Sequence, residues 1–156
     1  MADQGITIEV RAEVVYLSGY MNENADLSSL LNRMDPLILN LKNVLRFNST
    51  GIRNLLKFLN KWGSRPLIYQ DCPCDFIDQV NMIPALLGQP EGTYKIQSLF
   101  MPYECRTCGY ESEDLEQFDT VVKIVGSDRQ ITKKPCPKCA SPLHLISEAY
   151  LVFLDR

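Results

Sequence analysis

The chain reads as a mixed α/β domain followed by a small β-rich ribbon held by a metal, and three observations predict this. Through the first hundred residues, short apolar runs of strand length alternate with segments of helical period. Beyond them, four cysteines fall in two matched pairs, Cys105-x-x-Cys108 and Cys136-x-x-Cys139, with 27 residues between. Finally, the 156 residues are 46% hydrophobic, enough for the first part to bury a core of its own. The second part is too charged and polar to do so without a cross-link.

Taken in order, Ile6 to Arg11 and Ala12 to Ser18 are expected as two strands, carried by Val10, Val14, Val15, Tyr16 and Leu17. Ala25 to Met34 predicts a short helix capped by Asn24. Pro36 to Leu41 is nearly all apolar, as suits a central strand buried on both faces. Asn48-Ser49-Thr50-Gly51 then precedes Ile52, Leu55, Leu56, Leu59 and Trp62, which is helical spacing behind a cap, and Gly63-Ser64 ends that helix. Pro66 to Gln70 predicts a strand, and Phe76 to Leu87 an amphipathic helix that Pro84 kinks or shortens. Tyr94 to Met101 predicts a strand leading into the first cysteine pair. In the ribbon, Asp119 to Val125 and a segment after the second pair are expected as strands, and Ala149 to Leu154 as a closing one. The expected domains are therefore 1–101 and 102–156.

Charge narrows the function classes. The formal net charge is −3, with 9 basic and 10 acidic residues in 1–101 and 7 and 9 in 102–156. Four thiolates around one divalent cation make the second part more acidic, the opposite of a nucleic-acid-binding ribbon. Met1-Ala2-Asp3-Gln4-Gly5 has neither the basic start nor the apolar run of a signal peptide, and no apolar run is long enough to span a bilayer. With cysteines in metal-type pairs, the expectation is a cytoplasmic protein. One histidine, no glycine-rich phosphate loop and no nucleophile–base pairing lead us to expect no enzyme.

Two cysteines on one tight turn grip one edge of a metal, and a second such turn completes a tetrahedron. Cys105, Cys108, Cys136 and Cys139 therefore predict a closed structural site with one zinc per chain. Cys105-Arg106-Thr107-Cys108-Gly109-Tyr110 and Cys136-Pro137-Lys138-Cys139-Ala140 look like zinc-ribbon knuckles and are also similar to those of the iron carrier rubredoxin. Gly109 fits the glycine expected after each pair, whereas Ala140 does not. Zinc is preferred because Ile131-Thr132-Lys133-Lys134 stands where rubredoxin has an aromatic run. His144 is expected as an ordinary strand residue, and Lys133, Lys134 and Lys138 as a solvated edge. Cys72 and Cys74 have the wrong spacing for a knuckle. Cys74 at a helix start would have a lowered pKa and a redox role as its rival reading.

Three pieces of the first domain resemble the STAS family, which includes the anti-sigma factor antagonists of bacteria. They are the Pro36–Leu41 strand followed by Asn48-Ser49-Thr50-Gly51 and its leucine-rich helix, the segment Gly19-Tyr20-Met21-Asn22, and the strand-to-helix stretch from Asp71 to Gly88. The resemblance spans about residues 6–101. It implies a STAS-like mixed sheet covered by helices and a non-enzymatic bacterial regulator working by partner switching. Its partner would be a kinase-like anti-sigma factor or a sensor assembly, with self-association open. Asn48, Ser49, Thr50 and Gly51 would form the docking edge, with Ser49 the phosphate acceptor ahead of Thr50. A phosphate there meets free N–H groups and the helix dipole, while its charge disrupts a packed interface. Asn48 stands where the family has aspartate, and as plain caps these residues need no signalling role. The alternative class is a metal redox or nucleic-acid-binding accessory protein that uses the ribbon directly.

Overall fold

The computed structural model describes residues 4–127 and 134–155. Strands β1 (Ile6–Arg11) and β2 (Val14–Met21) form an antiparallel hairpin. Ala12, expected inside the second strand, instead turns the chain at φ 53°. β3 (Leu37–Phe47), β4 (Leu67–Gln70) and β5 (Lys95–Ile96) follow, giving a five-stranded sheet in the order β1-β2-β3-β4-β5, parallel from β2 onward. Sequential parallel strands joined by right-handed crossovers place every connecting helix on one face. The burial agrees. Val15, Leu17, Leu37, Leu39, Leu67 and Tyr69 are sealed on one side, whereas Val14, Tyr16, Ile38 and Ile68 on the other are only half-buried.

Helix α1 (Ser49–Trp62) joins β3 to β4 and presses Ile52, Leu55, Phe58, Leu59 and Trp62 onto the sealed face. Its last turn is closed by Gly63 at φ 71°, whose N–H reaches the Leu59 carbonyl, and by the Tyr94 hydroxyl, which donates to the Gly63 carbonyl at 2.5 Å. Trp62 donates through Nε1 to the Arg65 carbonyl at 2.9 Å, and the Arg65 guanidinium lies 3.5 Å over its ring. Helix α2 (Cys74–Met82) buries Phe76, Ile77 and Val80, with Phe76 4.9 Å from the Tyr69 ring centre. Pro84 does break the expected long helix: α2 stops at Met82 and a separate 3-10 turn covers Pro84–Leu87. The helix expected over 25–34 shrinks to a 3-10 turn at Ser28–Asn32 that buries Leu30 alone.

The second sheet is antiparallel, with β7 (Glu111–Gln117) and β8 (Leu143–Leu145) flanking β6 (Ser98–Cys105). Two expectations are overturned here. Asp119 to Val125 is not a strand, because helix α3 (Phe118–Ser127) occupies it and buries Val121. The strand that pairs with β6 is the almost wholly polar β7, in register from Ser98↔Gln117 to Glu104↔Glu111. Ala149 to Leu154 is likewise not a strand but part of a 3-10 segment, Glu148–Asp155, that buries Tyr150, Leu151 and Phe153. Asn81 of α2 holds that segment, donating to the Tyr150 carbonyl and accepting from the Phe153 N–H, both at 2.9 Å.

The sheets meet at the end of β4. Cys72 N–H donates to the Ser98 carbonyl at 3.0 Å, and Phe100 N–H to the Cys72 carbonyl at 2.9 Å. Beside it, the Asp71 carboxylate accepts from Ser98 Oγ at 2.7 Å and Asn40 Nδ2 at 2.9 Å, with Asp71 itself at φ 49°. Asn40 and Ser98 are both buried, so this carboxylate satisfies polar groups that would otherwise be costly to bury. No helix among the described residues is long and apolar enough to cross a membrane.

Candidate functional site

β6 delivers Cys105 as its last residue, and the chain turns so that Cys105 N–H donates to the Tyr110 carbonyl at 2.7 Å and Gly109 N–H to the Cys105 carbonyl at 2.8 Å. The second pair repeats this. Cys136 N–H donates to the Ser141 carbonyl at 2.7 Å and Ala140 N–H to the Cys136 carbonyl at 2.9 Å. The matching hydrogen bonds demand matching backbone: Gly109 sits at φ 73° and Ala140 at φ 62°. Ala140 thus takes the left-handed conformation that glycine prefers, at a cost of about 1–2 kcal/mol. Lys138 N–H points at Cys136 Sγ, 3.4 Å away.

These turns bring the four sulfurs within 4.8 Å of one another, with Cys105 to Cys139 at 3.5 Å and Cys108 to Cys136 at 3.6 Å. A tetrahedral zinc with bonds of about 2.3 Å sets its sulfurs about 3.8 Å apart, so the cluster fits that ion. Cys105 and Cys136 are buried and Cys108 and Cys139 exposed. The sulfurs cannot ionise independently. Hydrogen bonds from the Ser141 hydroxyl and N–H pull Cys139 down to about 6. The Tyr110 backbone favours the Cys108 thiolate, yet desolvation and the three other sulfurs push it up to about 12. A bound cation would let four thiolates share this space. Every ligand position is then protein, leaving none for substrate or water.

The neighbouring lysines are already engaged. Lys134 pairs with Glu116 and, at 3.6 Å, with Asp114, while Lys138 lies 5.4 Å over the Tyr110 ring. Lys133 falls outside the described residues. His144 lies opposite Glu104 in the β6–β8 register and is not one of the four-cysteine group. Cys74 does not have the lowered pKa of its redox reading. It opens α2 behind Pro73, but burial pushes its thiol up to about 11, and it donates toward the Phe100 carbonyl at 3.6 Å. Cys72 is fully buried, and burial pushes its thiol well above the ordinary range too.

The tetrapeptide lies at the start of α1, apart from the cysteines. Asn48 is its cap, with Oδ1 accepting from Gly51 N–H at 2.7 Å. Ser49 is exposed on the first turn and Thr50 half-buried. Gly51 has a steric reason to be glycine, since a Cβ there would stand 1.8 Å from the Met21 carbonyl oxygen. Asn48 N–H donates to that same oxygen at 3.0 Å, and Asn48 Nδ2 to the Glu23 carboxylate at 3.2 Å. The structure thereby brings Asn48, Ser49, Thr50 and Gly51 against the loop that follows Gly19-Tyr20-Met21-Asn22. Glu23, Asn54 and the Asn40–Asp71–Ser98 cluster had no signal in the sequence, because each acts through a partner more than 20 residues away.

No protein-family model matches the chain, and no curated protein matches it in sequence.

Proposed function

We propose that this chain is a non-enzymatic regulator that works by binding another protein through the start of α1, in the manner of the bacterial anti-sigma factor antagonists that its STAS-like segments resemble. The observation that carries this reading is the placement of Ser49. Its side chain is exposed on a capped first turn, and Gly51 and Asn48 lock that turn onto the Met21–Glu23 loop. A phosphate on Ser49 would sit at the positive end of the helix dipole, disturbing any surface packed there without unfolding the helix. The four cysteines hold a structural zinc that joins the end of β6 to β8, making residues 102–156 a zinc ribbon and a second contact surface.

The test begins with affinity purification of the full chain from its native cell and identification of what it holds. Ser49→Asp should then weaken that partner about tenfold, or about 1.4 kcal/mol, while Ser49→Ala binds as the parent does. Unchanged binding by Ser49→Asp, together with loss of binding when the ribbon surface is altered, would reduce the tetrapeptide to a helix cap. Exposure of Cys108 and Cys139 favours one other reading, a rubredoxin-like electron carrier, because an exposed ligand edge admits electron transfer. Iron in place of zinc in the purified protein, with a reversible potential, would establish it.

A further inference from the structure

One stretch of the chain whose charge is all of one sign runs through α1. From Pro36 to Gln70 the sequence carries six basic residues and no acidic one. Arg53, Lys57 and Lys61 recur every fourth residue and are all exposed, so they form one stripe along the helix with about 6 Å between steps. Four cations pair with carboxylates, Arg11 with Glu9, Arg65 with Asp35, Arg106 with Glu104 and Lys134 with Glu116, whereas among the described residues Arg33, Lys42, Arg46 and Lys95 have no such partner. No such pair involves the three stripe residues among the described residues. Like charges four apart destabilise a helix, and a merely solvated helix face mixes signs to avoid that. The first turn of α1 also carries no acidic residue, leaving its dipole to the cap and to Glu23.

We infer that the Arg53–Lys57–Lys61 stripe is a docking surface for an acidic helix of a partner protein, one presenting carboxylates at matching four-residue spacing. This rests on the reading of the α1 start as the docking edge, and it names the chemistry of the partner. It also gives Ser49 a direct lever, since a phosphate one turn before Arg53 puts negative charge at the foot of the stripe and repels an acidic partner. A nucleic acid fits less well. The aromatic residues of α1, Phe58 and Trp62, are buried and offer no stacking platform, and the net charge is −3. A membrane fits less well too, because none of the exposed large apolar residues lies on α1 to insert.

The test is a titration of the isotope-labelled, zinc-loaded full chain, followed by amide NMR in about 50 mM salt, where charge pairing is only partly screened. The probe is a synthetic helical peptide with glutamates at i, i+4 and i+8. Shifts should run along residues 49–62. The triple variant Arg53→Gln/Lys57→Gln/Lys61→Gln, whose melting should equal or slightly exceed the parent's because all three side chains are exposed and their repulsion is relieved, should bind at least tenfold more weakly. Ser49→Asp should also bind more weakly. If only the triple variant loses affinity, the stripe stands and the Ser49 switch falls. Absence of shifts on α1, equal binding by the triple variant, or tighter binding of an oligothymidylate or of phosphatidylserine vesicles at the same amides would each overturn the inference.

Discussion

Replacing Gly51 with alanine sets two opposed effects against each other, and the structure says which wins. By helix propensity alone, alanine stabilises an interior helical position by about 1 kcal/mol over glycine. At this position, however, the new Cβ would meet the Met21 carbonyl oxygen at 1.8 Å, its carbon at 2.1 Å and Asn22 N at 2.6 Å, all backbone atoms that no rotamer change can move. Recovering ordinary contact near 3.5 Å requires the start of α1 to retreat by roughly 1.5 Å. That retreat strains the Asn48 N–H bond to Met21 and pulls Gly51 away from its cap. Overpacking costs about 1–3 kcal/mol, and a lost cap and a lost hydrogen bond about 1 kcal/mol each. After the propensity gain, the net destabilisation should be about 2–4 kcal/mol. In a chain of this length it should lower the melting temperature by about 4–16 °C. Urea unfolding followed by far-UV circular dichroism measures it. Gly63→Ala is the control, since an added Cβ there meets nothing within 4 Å and only its φ of 71° is penalised. A Gly51→Ala midpoint equal to or above the parent's would refute the argument, because it would mean that α1 does not rest on the Met21 carbonyl.

The purified protein should contain about one zinc per chain, and chelation should strip hydrogen-exchange protection from residues 103–117 and 134–145 while β2 and β3 keep theirs. Metal analysis that finds neither zinc nor iron would remove the site. Cys105→Ser and Cys136→Ser should each melt well below Cys72→Ser, since only the first two break a ligand set; equal melting with metal lost in all three would mean the ligands are wrongly drawn. Ala140→Gly should raise stability by about 0.5–1 kcal/mol by relieving the left-handed strain at φ 62°, and an unchanged or lower denaturation midpoint would count against the knuckle geometry.

What the sequence determined by itself is whatever depends on near neighbours along the chain. A cap works within one turn, so Asn48 ahead of Ile52 and Leu55 was enough to locate α1, and Gly63 enough to end it. The cysteine pairs were equally legible, because a two-residue spacing sets the bite of a knuckle whatever surrounds it. Local signals failed where a distant partner decides. β7 is Glu111-Ser112-Glu113-Asp114-Leu115-Glu116-Gln117, a stretch with no apolar alternation to betray a strand, and it becomes one because β6 offers an unpaired edge in register. Asp119 to Val125 has the β-branched residues of a strand but buries Val121 from a helix. Ala149 to Leu154 has the composition of a strand too, yet Asn81, some 70 residues earlier, takes up its backbone groups and leaves it a 3-10 segment. The same holds for the site. The sequence marked Ser49 and the four cysteines, while the Met21 carbonyl that makes Gly51 obligatory came into view only when β2 and α1 were brought together. Propensity acts through a residue's own backbone and its nearest turn, whereas burial and hydrogen-bond satisfaction are settled by whatever the fold places opposite.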